Sequence, residues 1–336
     1  MRKMVRQGTF GLPEIESEDI WRCTTCGSCP QRCPRGVGTI DVTLSFRRIA
    51  SGAGIAPAPV HTASVSVSTE GNPLREAREK RGEWAKDLGV KTFTEGTEIL
   101  YFPCCYPNYD ARARKVAVAT ATILNKAGVD FGILGPKENC CGESIRKIGD
   151  EALFRHLARE NIKTFVDNGV KKILVSSPHC YHTFKNEYPE FKVNFEVVHA
   201  CQYLLELINE GRLELTKEYA KVVTYHDPCY LGRHNGIYDE PRQVLEKVPG
   251  LKLVEMIDSR EDSLCCGGGG GGIWMDVPKG ERFSDLRLEQ AIEVGAEVLV
   301  TACPYCITMF EDSRLTREDS EVIEVKDITE IIQEAI

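Results

Sequence analysis

The sequence lacks any run of about 18 consecutive apolar residues, which excludes a conventional membrane-spanning helix. Its opening stretch, MRKMVRQGTFGLPEIESEDIW, has no apolar segment of the kind that directs secretion. No basic stripe is present, and the net charge of −8 argues against nucleic acid as a partner. A nucleotide fingerprint is missing too. The GGGGGG at 267–272 follows two cysteines, and no acidic residue is suitably placed beyond a following strand. What remains is an ordinary globular composition, 42% hydrophobic over 336 residues, which is enough for two or three domains.

Cysteine is present in excess, with fifteen residues. In a chain without a secretory signal, clustered thiols read as metal or redox sites rather than disulfides. An odd number also cannot complete a disulfide framework.

Cysteine spacing divides the chain into blocks. Residues 1–50 carry CTTCGSCPQRCP. Residues 51–95 carry none; they begin SGAGIAPAPVHTASVSVSTEGNP, the composition of a connector, and continue as LREAREKRGEWAKDLGV, of helical composition. Residues 96–217 and 218–336 read as two copies of one unit. Each opens on a short apolar strand ending at Pro-Cys-Tyr: TEILYFPCCY and KVVTYHDPCY. A helix and a second strand lead to NCCGES and LCCGGG, and a third strand ends at SSPHC and ACPYC. Consecutive apolar residues in these strands predict parallel strands buried on both faces. Alternation with helices predicts an α/β fold of two tandem Rossmann-like units, preceded by a small helical domain. Sites in such sheets lie beyond the carboxyl ends of the strands, where all these cysteines fall.

The second copy therefore brings together Cys229, Cys265, Cys266, Cys303 and Cys306. Zinc is satisfied by four ligands, and a plain cubane iron–sulfur cluster by four thiolates, so five points elsewhere. The glycines after Cys266, beginning Gly267 and Gly268, let the main chain wrap such a group with its N–H groups inward. The first copy offers Cys105, Cys140, Cys141 and Cys180, but Ser177 stands where Cys303 stands. Either Cys104 compensates, or this half holds a four-thiolate cluster, or none. At the N-terminus, Cys23, Cys26, Cys29 and Cys33-Pro34 form the ferredoxin spacing C-x-x-C-x-x-C-x-x-x-C-P; either Cys33 closes one cluster or another ligand does. Zinc is the alternative to iron at each place. Cys201 reads as a core thiol. His226 and His234, flanking Cys229, read either as hydrogen-bond donors beside a cluster or as structural histidines. His179 or His182 could stand in for the missing thiol, and Arg233 and Lys279 could balance charge.

These residues resemble the cysteine-rich CCG domain of heterodisulfide reductases and related iron–sulfur subunits. YHDPCYLGRHNGIYDEPR is similar to the D-type reductase chain, and IWRCTTCGSCPQRCPRGV with LSFRRIA resembles a ferredoxin run of the C-type chain. The resemblance implies an oxidoreductase subunit with a ferredoxin-type 4Fe–4S cluster at Cys23–Cys33. It implies a noncubane 4Fe–4S cluster on the five cysteines of the second unit, and places Cys105, Cys140, Cys141 and Cys180 at four of five positions in the first. It further implies reduction or formation of a disulfide; a pure electron relay is the alternative. The partners it implies are a flavin-containing reductase subunit, a membrane cytochrome or an electron-transferring flavoprotein, with the chain cytoplasmic or held at the inner face of the membrane by one of them.

Overall fold

A computed structural model describes residues 20–317 and 321–336, so the expectations resting on the first 19 residues lie outside the described part. Two parallel sheets form the frame. The first has five strands in the order β1-β3-β2-β4-β5: β1 Lys91–Thr92, β2 Ile99–Phe102, β3 Phe131–Ile133, β4 Lys172–Val175 and β5 Glu196–His199. The second has four in the order β7-β6-β8-β9: β6 Val222–Tyr225, β7 Lys252–Val254, β8 Val298–Thr301 and β9 Glu324–Asp327. Without β1 the orders are the same, with the opening strand of each unit between its second and third. Every pairing is parallel.

A central strand of each sheet, β2 and β8, shows why these sheets are interior. Ile99, Leu100, Tyr101 and Phe102 are all buried, as are Val298, Leu299 and Val300. Such runs are stable only when helices cover both faces. The closing helices Ala200–Asn209 and Ile328–Ala335 start at buried caps, His199 and Asp327, each in a capping box. The units are joined by side chains as well as by the chain. Arg112 of the first unit bonds Glu311, Glu330 and the Val325 carbonyl of the second.

Residues 51–95 depart from the connector reading. Ala58–Glu70 is a helix, burying Val60, Ala63, Ser66 and Val67 and ending at Gly71 in the left-handed conformation. Its alanines and serines are small for packing rather than for flexibility. The stretch expected to be helical after it breaks into two short 3-10 turns, Arg78–Lys80 and Glu83–Leu88. The break falls at Gly82, whose φ of +85° no helix accommodates. Strand β1, inside the same stretch, then joins the first sheet.

Candidate metal centres

Each Cys-Cys-Gly segment makes the same turn in the connection that follows its unit's second strand, after a short 3-10 turn. Gly142 and Gly267 have φ of +85° and +92°, which a side chain would resist. Their N–H groups lie 3.4 Å from Cys140 Sγ and 3.3 Å from Cys265 Sγ. The next N–H groups, of Glu143 and Gly268, bond Cys141 and Cys266. Two adjacent main-chain donors thus aim at two adjacent sulfurs, an arrangement suited to thiolates or to a net-negative group.

In the second unit the thiols touch in series. Cys229 meets Cys265, Cys265 meets Cys266, Cys266 meets Cys306, and Cys306 meets Cys303. In the first unit the series runs Cys105, Cys140, Cys141, Cys180, Cys104. The Cys141 and Cys180 sulfurs are 3.4 Å apart. All ten are buried and none of the fifteen cysteines is in a disulfide. Cys201 joins neither set; its sulfur lies 3.1 Å from His199 Nδ1 beneath a helix start.

The surroundings fit iron–sulfur groups better than zinc. Five thiols exceed zinc's four ligands in each set. Next to the sets lie three fully buried arginines. Arg47 bonds only main-chain carbonyls among the described residues: those of Ile20, Cys23, Lys147 and Gly270. Arg287 likewise has no carboxylate partner there, bonding His226, Ser263, Gln290 and the Asp258 carbonyl. Burial pulls both down to about 10, so both still carry charge at neutral pH. A buried cation without a counter-ion is costly, and a net-negative cluster beside each removes that cost. In the first unit Arg81 pairs with Glu138 at 3.2 Å and also reaches Cys105 Sγ at 3.7 Å.

His226 sits among these groups as a donor rather than a ligand. Its Nδ1 accepts from Arg287 Nε at 3.2 Å, and arginine cannot accept in return. The ring proton is therefore on the other nitrogen, Nε2. Burial and the Arg287 charge keep the ring neutral, well below its usual titration range. Nε2 is buried without a hydrogen-bond partner among the described residues. One ligand atom each from His226, Cys266 and Cys306 falls within 4.8 Å of the others. A metal-bound histidine would instead present a free lone pair and donate from its far nitrogen.

The glycine run serves a purpose the sequence did not disclose. A Cβ on Gly269 would lie 2.4 Å from the Thr24 carbonyl, and one on Gly270 would lie 2.6 Å from that of Cys23. One on Gly272 would meet the Gly267 carbonyl at 2.1 Å. The run is thus the floor on which the ferredoxin-spaced loop rests, and only Gly267 and Gly268 point donors at sulfur. Other residues clamp that loop from the side. Arg233 donates to the Cys26 carbonyl at 2.8 Å, and His234 Nε2 lies 2.9 Å from that of Thr25. Tyr230 bonds Thr25 Oγ1. Of the two readings of His234, this contact supports the structural one, in which it positions the loop. Within the loop, Cys23, Cys26 and Cys33 are half-buried and Cys29 is exposed. The Cys26 thiol meets Cys265 of the second unit.

His179 does not replace the thiol missing from its own unit. It turns toward the other unit, in contact with Cys303, and its Nδ1 lies 3.1 Å from Glu143 Oε2. Burial alone would lower it, but Glu143 and Cys303 raise it well above the usual value. Cys303, which burial alone would raise, is brought down to about 5 by Cys306 and His179. Tyr230 and Tyr305 flank the His179 ring at 4.3 and 4.6 Å. His182 is farther out, between Asn186 and Asn235. Lys279 bonds the Thr316 carbonyl at the surface, away from the sulfurs. A cleft of about 500 Å³ opens beside Gly267, lined by Trp21, Ile273, Phe283, Met309, Arg282 and Asp312.

Two buried copies of a strand-ending cysteine turn define a tandem cysteine-rich protein, and the match to known families agrees. The chain belongs to the CCG cysteine-rich domain family, whose model matches residues 99–185 and 223–311. It is 39% identical over 96% of its length to the probable iron-sulfur-binding oxidoreductase FadF of Bacillus subtilis. It is 37% identical over 96% to the EtfAB:quinone oxidoreductase of Syntrophomonas wolfei. The chain spans about half the length of these two relatives, 47% of each. It is 34% identical to the D-type component of the dihydromethanophenazine:CoB--CoM heterodisulfide reductase of Methanosarcina barkeri, over 97% of this chain and 82% of that one. Among solved structures, a hypothetical protein from Helicobacter pylori shares the fold, with a TM-score of 0.52 at 14% identity over 75% of this chain and 53% of the other. No helix among the described residues is long and apolar enough to cross a membrane.

Proposed function

We propose that this chain is the iron–sulfur subunit of a heterodisulfide reductase-like complex. It carries electrons between a ferredoxin-type site and the second thiol set, where a disulfide is reduced or formed. Cys23, Cys26, Cys29 and Cys33 would hold the first cluster, and Cys229, Cys265, Cys266, Cys303 and Cys306 the second. Cys105, Cys140, Cys141 and Cys180 would hold a further one. When bound, such clusters supply one-electron transfer and iron that can take a sulfur ligand.

The observation that carries this reading is the contact of Cys26 with Cys265, because it leaves the two sites adjoining with no polypeptide between their sulfurs. The chain's own residues supply the setting. Arg47 and Arg287 place fixed positive charge beside the sites, and the His226 ring lies beside Cys266 and Cys306, with one ring nitrogen within 4.8 Å of their sulfurs. Phe283 and Met309 give the cleft an apolar wall against Gly267 and Gly268, which limits water at the sulfurs. Glu143 keeps a proton on His179, next to Cys303, where a departing thiolate needs one. A flavin-containing subunit, an electron-transferring flavoprotein or a membrane cytochrome would donate or accept the electrons; relatives named as an EtfAB:quinone oxidoreductase and as one subunit of a heterodisulfide reductase support such partners.

Oxidising the anaerobic protein in the presence of a thiol tests the reading. A paramagnetic signal altered by the thiol, and abolished in Cys265→Ser, is expected. Turnover of small disulfides with a reduced dye separates catalysis from relay. No turnover by protein with intact clusters would establish the relay alone.

A further inference from the structure

We propose that Cys104 completes the first thiol set as its fifth thiolate, taking the place vacated at Ser177, so that both units hold a five-thiolate iron–sulfur cluster. This rests on the iron–sulfur reading given above.

In the second unit the series of touching thiols ends Cys266, Cys306, Cys303. In the first it ends Cys141, Cys180, Cys104. Cys180 and Cys306 occupy the same place, the third residue of the helices Pro178–His182 and Pro304–Leu315. The residue capping each helix is Ser177 in one and Cys303 in the other. Cys104 thus stands where Cys303 stands, arriving from the first strand instead of the third.

Three further features agree. Cys104 has φ of +83° and ψ of 170°, a conformation almost confined to glycine. A cysteine kept there retains its thiol against a backbone preference that glycine would meet. The strained residue is held by Asn108, which donates to its carbonyl at 2.8 Å. Ser177 is fully buried, and its Oγ has no hydrogen-bond partner among the described residues. A buried hydroxyl left free is rare in a finished core, and a sulfide or thiolate nearby would accept from it. Finally, Arg81 at Cys105 gives this set a buried cation, as Arg287 gives the other through His226.

The test uses Cys104→Gly, which removes the thiol while suiting the backbone, and the double variant Cys104→Gly with Ser177→Cys, which restores a thiol at the place matching Cys303. Iron content and Mössbauer spectra of the ⁵⁷Fe-labelled anaerobic proteins are read. The wild type is expected to hold about 12 irons per chain, three four-iron groups. Cys104→Gly should lose about a third of them together with one spectral component, and the double variant should regain both. Full iron with an unchanged spectrum in Cys104→Gly overturns the proposal, as does a wild type with only about 8 irons. A wild type without iron overturns the functional reading as well, so the two failures are distinct. Anomalous iron scattering from wild-type crystals decides the matter even if a variant misfolds. Iron bonded to Cys104 Sγ supports the assignment, and a free Cys104 Sγ beside an iron cluster contradicts it.

Discussion

At the scale of single residues, charge and hydrogen bonds around sulfur decide what the sites can do. His226 is the clearest case, because Arg287 fixes its tautomer and leaves an unpartnered N–H on a ring that lies beside Cys266 and Cys306. Such a donor stabilises the electron-rich state. His226→Phe is therefore expected to lower the midpoint potential of the second site by some tens of millivolts, where about 59 mV is tenfold for one electron. An unchanged potential in a redox titration would remove His226 from the account. Gly272 tests close approach alone, since its φ is ordinary and only the Gly267 carbonyl stands in the way. Gly272→Ala should cost about 1–3 kcal/mol in chemical unfolding and loosen the N-terminal loop, seen as loss of the ferredoxin-type signal. Full stability and an intact signal would show that the floor yields. Much of this scale was legible in the sequence. The thiol positions were readable because strand ends and spacing announce them. Arg47 and Arg287 were not, although Arg47 lies in LSFRRIA, a stretch already singled out for its resemblance. Nothing local marks an arginine as buried when all its partners, or all but Gln290 for Arg287, are more than twenty residues away.

At the scale of elements, the strands and the long helices followed from their apolar patterns, whereas the stretch 51–95 did not. Alanine, serine and proline there suggested a surface crossing, but small residues also permit a helix to pack closely, and Ala58–Glu70 does so. Strand β1 has only Lys91 and Thr92, both exposed, so no apolar run could signal it. The closing elements carry a pH-dependent feature. Asp327 caps the last helix, bonding Thr329 through Oδ1, while its Oδ2 is buried without a partner. Burial raises this carboxyl to about 7, with Glu330 and Cys303 adding in the same direction against the Thr329 bonds. A carboxyl held above its unfolded value binds its proton more tightly when folded. Its contribution is thus complete below about pH 4 and fades as the pH rises through 7. Denaturant unfolding should show stability falling over that window, and Asp327→Asn should flatten the slope. An equal slope in the variant would assign it to other groups.

At the scale of the whole molecule, the two units face each other with their cysteine turns inward. Tyr106 and Tyr305 pack at 4.8 Å, and His179 and Tyr230 at 4.3 Å. Each pair joins the residue after the first-strand cysteine of one unit, Tyr106 or Tyr230, to the residue before Cys306 or Cys180 of the other, so the two copies make matching contacts across their interface. That a repeat existed was legible; that its halves exchange contacts, with His179 serving the other unit's Cys303, was not, because pairing between units leaves no trace in spacing. Arg112 bridges the units through Glu311, Glu330 and Val325. Arg112→Ala should lower stability by about 1–3 kcal/mol in thermal unfolding while leaving the ferredoxin-type signal in place. No change in unfolding would show that the units are held by apolar packing alone. The central claim is that thiols from Cys229 to Cys306 surround iron and adjoin the cluster of the N-terminal loop through Cys26. Electron paramagnetic resonance of the anaerobic protein, poised stepwise through reduction, tests it most directly. The account predicts a ferredoxin-type signal broadened or split by a neighbouring paramagnet, simplifying to an isolated signal in Cys265→Ser. A ferredoxin-type signal that is simple from the start, and the same in Cys265→Ser, would contradict it.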